Sequence, residues 1–386
     1  MSALIEGSWD AARDIASRSF SPAPVETIAI GDGFDRTLAI DAQALCDLPT
    51  YATSAMDGYA VSGKGPWKIV GEIKAGLPMT GDLNFGEAVG IATGAVIPHG
   101  TFGVIRWEIA RVHEDLLEGE VIENQEIRPP AHECKVSEVI IEAGTKLNPA
   151  MIGLLAAAGL DAIDVFRKPR VALLLLGDEI QLTGVPIDGL VRDALGPQLP
   201  GWLAKMGAQV VHTRYISDEL NLVVGALEEA CALADIVITT GGTAQGPRDY
   251  LHNALRSIQA EILIDTVAVR PGHPMLLARI KGKAIFGLPG NPQSAIVALM
   301  SLGAPVIASM LGQIEGELEW VTTRDELTAP PAFTRLIIGS LINREFVVAH
   351  YLGSAMLRGL AHSTGFAVVT KNLTAAGETV RWLPLP

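Results

Sequence analysis

The chain has 386 residues, 49% of them hydrophobic and 19% charged, and 43 acidic against 29 basic side chains give a formal net charge of −14. That length exceeds a single core and predicts two to four domains, at about 100 to 200 residues each. The acidic balance excludes the broad basic surface by which DNA, RNA or an anionic membrane is held, so no nucleic-acid or membrane partner is expected. Cys46, Cys134 and Cys231 are odd in number and far apart, which excludes a disulfide framework and a four-cysteine metal site and predicts a reducing, cytoplasmic setting.

In chain order, MSALIEGSWDAARDIASRSF spaces apolar residues between Glu6, Asp10 and Asp14 and predicts an amphipathic helix rather than a signal peptide. From Val25 to Ile141, short apolar runs such as WKIVGEI, AVGIAT and FGVIRW alternate with Gly and Pro and predict a β-rich domain, with a loop at IRPPAHEC. NPAMIGLLAAAGL predicts a helix. Strand and helix then follow in series: VALLLL (171–176), VVHTRYI, a helix after Ser217 and Asp218 with apolar positions 220, 223, 224, 227 and 230 on one face, DIVITT (235–240), and AIFGL (284–288). Such a series predicts a parallel sheet with helices on both faces. The uncharged run from Ala284 to Ile314 is interrupted by Gly287, Pro289, Gly290, Pro292 and Pro305 and reads as a core helix or subunit interface rather than a membrane span. Beyond Gly312, RLIIGSL and EFVVAHY flank an Asn-Arg connection that predicts a hairpin, and FAVV a late strand. The fold class is α/β plus β, an elongated multi-domain chain: residues 1–41 with 135–167 as a discontinuous linking domain, 42–134 as a β-rich domain, 168–314 as the central parallel-sheet α/β domain, and 315–386 as a C-terminal β domain.

In an open parallel sheet, ligands sit outside the C-terminal ends of the strands. Three loops fall there: Gly177-Asp178-Glu179, TTGGTAQGPRDY (Thr239 to Tyr250) and GLPGNPQSA. The second has glycines that let backbone N–H groups crowd an anion, but it lacks the lysine of a nucleotide P-loop. In the third, Asn291 is expected to cap a helix with Pro292 at its first position, leaving the N–H groups of Gln293, Ser294 and Ala295 for an anion; a plain helix start explains the same residues. Arg270 and His273 of RPGHP are placed to bracket a phosphate or to lie in a solvated loop. Asp178, Glu179 and Asp249 supply carboxylates suited to hydrated Mg²⁺ or, equally, to turn hydrogen bonding. Asp57 in SAMDGYA is a functional candidate or part of an Asp-Gly hairpin signal. No HExxH, GxSxG or GxGxxG pattern is present.

Together SAMDGYA, ATGAVIP, GDE, TTGGTAQGPRDY, RPGHP, GLPGNPQSA and GSAMLRGLAHSTGFAVV, in this order and spread over essentially the whole chain, resemble the molybdopterin molybdenumtransferase (MoeA) family. MDGYA and GLPGNP are the most specific of these segments. The resemblance implies a four-part, L-shaped homodimer whose α/β part is similar to the molybdopterin adenylyltransferase (MogA-like) fold and whose cleft draws on both subunits. It implies a reaction in which adenylylated molybdopterin takes the metal from molybdate and AMP leaves. By matching position it gives Asp57, Thr93, Glu179 and Asp249 as catalytic residues. It makes the carboxylates of Asp57, Glu179 and Asp249 ligands of Mg²⁺, to which the strand-end reading adds Asp178. Gly241, Gly242, Gly246, Arg270, His273, Pro289, Gly290, Asn291 and Ser294 would contact the pterin nucleotide. The chain differs from the family pattern at TGGTAQG in place of SGGVSxG, at Arg270 and His273 in place of the lysines of KPGKP, at Asp193-Ala194-Leu195 in place of Asp-Thr-Asn, and at Ala131-His132-Glu133 in place of Gly-Glu-Asp. Histidine for lysine weakens the fixed positive charge at neutral pH. The residues therefore leave open a molybdenum insertase, a non-catalytic pterin carrier or assembly protein in contact with other cofactor-synthesis proteins, and a scaffold that recruits a peptide as in gephyrin.

Overall fold

Six consecutive apolar residues at 171–176 offer no polar face to solvent, so they are stable as a strand only when both faces are covered. In the computed structural model of the protein, which describes residues 3–74, 76–243, 250–313 and 316–386, they belong to the strand Arg170–Leu176, buried within a seven-stranded sheet. The chain divides into two compact units: Met1–Glu26, Asp35–Ala39 and Phe166–Pro386 form one, Thr27–Phe34 and Ile40–Val165 the other.

In the first unit the sheet order is Leu4–Gly7, Glu261–Val267, Leu276–Ile280, Lys283–Leu288, Ile236–Thr240, Arg170–Leu176, Gln209–Ile216. The last four strands are parallel, as the strand-helix series predicts. Alternate residues feed opposite layers: Leu173, Ile238 and Phe286 pack into one core, Leu174, Val237 and Ile285 into the other. The expectation of a parallel sheet throughout is corrected, because Leu276–Ile280 runs antiparallel to both neighbours. Only Lys281 and Gly282, with φ of 48° and 79°, separate it from Lys283–Leu288. A two-residue link makes a hairpin, whereas a parallel pair needs a long crossover.

The N-terminal stretch also divides more finely than its periodicity suggests. Leu4–Gly7 is a strand parallel to Glu261–Val267, and the helix Trp9–Arg18 starts only after Ser8, whose hydroxyl accepts the Ala11 N–H at 3.2 Å. That helix covers the continuous helical segment Pro292–Met310, which is long and apolar enough to cross a membrane but has 83% of its span buried in this core. The segment passes through a π-helical turn at Leu299–Gly303. There Trp9 Nε1–H donates to Ser301 Oγ at 2.8 Å and Arg13 Nη1 to the Met300 carbonyl at 2.7 Å, satisfying polar groups in an otherwise apolar layer.

The C-terminal strands of this unit close on themselves. Thr334–Ile342 pairs with both Glu345–Val348 and Gly365–Val369, and Trp320–Thr323 with Thr379–Pro384 completes a barrel around Ile337, Phe346 and Trp382. The expected hairpin link is present: Asn343 and Arg344 both have positive φ, 52° and 68°, as a type I′ turn requires.

The second unit is β-rich as expected, with a six-stranded sheet ordered Gly103–Arg106, Gly58–Val61, Glu87–Ile91, Trp67–Ile73, Leu116–Glu118, Arg111–His113. Ala60, Val89 and Val104 pack on one face, Val61, Ala88 and Ile105 on the other. The helix read in NPAMIGLLAAAGL runs Pro149–Ala157, capped by Asn148 Oδ1, which accepts the Met151 N–H at 2.9 Å.

Candidate functional site

Strand order brings the three expected loops together. Arg170–Leu176, Ile236–Thr240 and Lys283–Leu288 are adjacent, parallel and in register at Leu175, Thr240 and Leu288, so the loops that follow leave from one edge. A β-carbon placed on Gly241, whose φ is 82°, would lie 3.1 Å from the Leu176 carbonyl oxygen, and one placed on Gly290 would lie 3.9 Å from Gly241 Cα. The loops thus meet backbone to backbone, and the positive φ and close approach at Gly241 require glycine there. A cleft of about 620 Å³ opens there, with Glu179, Gly241, Gly290 and Asn291 in its wall beside Thr240 and Arg192.

Each expected residue has a definite place. Glu179 turns its carboxylate back over Gly177, whose φ of 140° excludes a side chain there: a β-carbon would lie 2.7 Å from Glu179 Oε2. Asp178 lies in the same loop, with Oδ1 3.4 Å from the Asp218 backbone N–H, and does not line the cleft. Gly242 continues the left-handed turn at φ 67°. Gly246 and Asp249 lie outside the described residues. Pro289 and Ser294 are buried and stand behind the cleft wall.

The helix start at Asn291 and Pro292 is present, but the expected trio of free donors is corrected. The Gln293 N–H donates to the Ser354 carbonyl at 3.0 Å and the Ala295 N–H to the Asn291 carbonyl at 2.9 Å. Asn291 caps by backbone conformation alone, and its Nδ2 sits 3.5 Å from Ser354 Oγ. Arg270 and His273 do not line the cleft. They gather on Phe333, the guanidinium 4.9 Å above the ring and the imidazole edge-on at 5.6 Å. His273 Nδ1 is 2.7 Å from the Val267 carbonyl, which fixes it as the donor, and Nε2 is 3.6 Å from Glu6.

In the second unit, register unites Asp57 and Thr93. Gly58 pairs with Ile91, so the residues just before and just after them share one sheet end. The Thr93 N–H and hydroxyl both donate to Asp57 Oδ1, at 2.6 and 2.9 Å. The backbone bond first, then the hydroxyl, holds the Asp57 carboxyl below its ordinary range. Gly58 is required next to it, since a β-carbon would overlap the Ile105 carbonyl.

Several groups escaped the sequence reading. Arg192 lines the cleft while its Nη1 donates to the Gln181 and Leu182 carbonyls. Asp193 is buried: its Oδ1 accepts the Leu195 and Gly196 N–H groups at 2.9 Å each and its Oδ2 the Tyr215 hydroxyl at 2.8 Å. Burial first, and Asp193 second, pushes the Tyr215 phenol up to about 12. The signal for Asp193 was available, because an aspartate two or three residues ahead of a helix is a capping pattern. Ala355 and Leu357, far along the chain, complete the wall.

A mixed α/β sheet joined to a β-rich unit is the fold of the solved structures this chain resembles. Residues 7–159 match the family described as MoeA N-terminal region (domain I and II), and residues 172–309 that described as probable molybdopterin binding domain. A molybdopterin molybdenumtransferase of Staphylococcus aureus (strain COL) is 31% identical over 332 residues, 82% of this chain and 79% of that protein. One of Haemophilus influenzae is 31% identical over 301 residues, 76% of this chain and 74% of that protein. A molybdopterin biosynthesis MoeA protein of Pyrococcus horikoshii OT3 has the same fold, with a TM-score of 0.84 at 22% identity over 98% of this chain and 100% of that one. The chain belongs to the molybdopterin molybdenumtransferase (MoeA) family.

Proposed function

We propose that the protein is a molybdenum insertase, a transferase of molybdenum cofactor biosynthesis that passes metal from molybdate to adenylylated molybdopterin with release of AMP. The observation that carries this reading is the meeting of Glu179, Gly241, Gly290 and Asn291 around one 620 Å³ cleft. Glycine backbone on two adjacent loops lets a phosphate approach closely, and Asn291 offers an amide beside it. The Glu179 carboxylate is placed to hold the proton of a water that attacks the phosphoanhydride, so that the P–O bond to AMP breaks as the new O–P bond forms. Molybdate is the second substrate.

Mg²⁺ belongs to the same reading. Among the described residues no three His, Cys, Asp or Glu side chains gather, so the donors present fit a largely hydrated ion held by Glu179 and the ligand's own phosphates. When bound, it would offset charge on the pyrophosphate. Asp249 and Gly246 are further expected contributors. A cytoplasmic homodimer, the roles of Asp57 and Thr93, and the division into four parts are proposed on the resemblance alone.

The test is AMP release from purified protein given adenylylated molybdopterin, Mg²⁺ and molybdate, beside a molybdate-free blank and Asp57→Ala. Molybdate-dependent AMP that the substitution removes supports the insertase. Tight binding without AMP would instead support the carrier, a reading favoured by the engagement of Arg270 and His273 with Phe333 away from the cleft.

A further inference from the structure

A second cleft, of about 470 Å³, lies between the barrel hairpin and the helix Leu357–Ala361. In a chain with 43 acidic residues, no aspartate or glutamate lines it, whereas His350, Arg358 and His362 all do, with Ser340 and Ser363. Among the described residues none of these three side chains enters an ion pair. Arg279, Arg324 and Arg381 of the same unit are instead paired, with Glu261, Glu345 and Asp10. Arg358 lies 4.5 Å over the Tyr351 ring, which orients the guanidinium plane and leaves its N–H donors unspent. The carboxylates on neighbouring elements are committed: Asp325 Oδ2 accepts the Val348 N–H at 2.9 Å, and Glu345 is held by Arg324 at 2.9 Å.

Backbone contact builds this concavity. A β-carbon on Gly359 would overlap the Tyr351 carbonyl, so the helix approaches the end of the hairpin as only glycine allows, and one on Gly339 would overlap the Val347 carbonyl across the hairpin itself. This brings the side chains flanking Gly359 to the hairpin. Donors on both walls, the fixed charge of Arg358 and the lack of a carboxylate in the lining suit an anion with several acceptor oxygens.

We propose that this cleft binds a small phosphate-class oxyanion, free or as the phosphate of a monoester, at a site separate from the cleft around Gly241 and Gly290. Full-length protein labelled at its histidine nitrogens is titrated with inorganic phosphate and, separately, with AMP, at constant ionic strength. Ring signals assigned by their loss in His350→Gln and His362→Gln are expected to shift saturably. Arg358→Gln should weaken the apparent affinity about tenfold, since it removes the one fixed charge and the planar fork of donors. Glu179→Gln should leave this affinity unchanged, so the result is independent of the insertase reading. Saturation by phosphate identifies the free ion, and saturation by AMP alone the monoester; either supports the site. Absence of a saturable shift with both ligands, or an undiminished shift in Arg358→Gln, overturns it. Should Arg358→Gln unfold, the double variant His350→Gln/His362→Gln, read by calorimetry, must lose the binding heat.

Discussion

The helix Leu357–Ala361 separates two clefts, each proposed above to take an anion, whose linings differ. On one side, Leu357 faces a cleft whose charged wall residues are of both signs, Glu179 and Asp193 with Arg192, and whose other wall residues include glycine backbone. On the other side, Arg358 and His362 face a cleft lined by one guanidinium, two imidazoles and hydroxyls and by no carboxylate. The difference teaches what each can do. A carboxylate beside a phosphate repels it unless a cation or a proton intervenes, so a carboxylate-bearing cleft suits chemistry on the ligand, whereas an unopposed set of donors suits retention. Within the first cleft the two wall carboxylates differ in what they are used for. Asp193 is consumed by the helix start and Tyr215, which leaves Glu179 as the wall carboxylate without a backbone duty.

The sharpest way to break the comparison is Glu179→Gln. Loss of a general acid or base is expected to lower AMP release on the order of 10²- to 10⁴-fold, with stability within about 0.5 kcal/mol of the parent, as for a surface substitution. Turnover left within a few-fold would show that Glu179 only shapes the Gly177 turn. Asp193→Ala is expected to act on the other axis. Three donors lose one buried acceptor, at a cost of about 1 to 3 kcal/mol for each donor left unsatisfied, moderated by solvent at Tyr215. Thermal unfolding should therefore shift downward by several degrees. A midpoint equal to the parent would mean that the helix start at 195 holds without its cap.

Tyr215 gives a milder test of the same contact. Its folded pKa of about 12 exceeds the ordinary phenol value of 10, so the neutral form is favoured in the fold. The associated stability is fully present below pH 10 and is lost as pH rises through about 12. Asp193→Asn should lower the spectroscopic titration midpoint of this phenol without returning it to 10, since burial is the larger cause. An unmoved midpoint would remove Asp193 from the account.

Legibility followed the range of the forces. The run VALLLL, the Asn-Arg hairpin and the helix in NPAMIGLLAAAGL are decided within a few residues, and the sequence reading of them holds. The loops at the strand ends were legible because parallel order alone places them together. The reversal at Leu276–Ile280 was missed although Lys281-Gly282 is a hairpin signal, because the serial pattern was extended through it. The engagement of the Gln293 N–H by Ser354, the withdrawal of Arg270 and His273 onto Phe333, and the entry of Ala355 and Leu357 into the cleft each depend on partners tens of residues away. No periodicity encodes such contacts.

The smallest expected effect concerns Asp57, whose carboxylate serves its own backbone as Asp193 does but at the surface. Its depressed pKa means that the Thr93 contact is present above the unfolded value near 3.9 and is lost as pH falls through the lower folded value. Thr93→Val removes the hydroxyl and leaves the backbone N–H, the larger cause of the shift. The carboxyl should therefore titrate slightly higher by NMR, yet remain below a free aspartate. Global stability at pH 7 should hardly change, because the pair is exposed and its second oxygen stays solvated. If Asp57 in this variant titrates like a free aspartate, the hydroxyl and not the backbone holds the corner. The carboxylate would then be free to turn toward a ligand instead of being pinned at the sheet end.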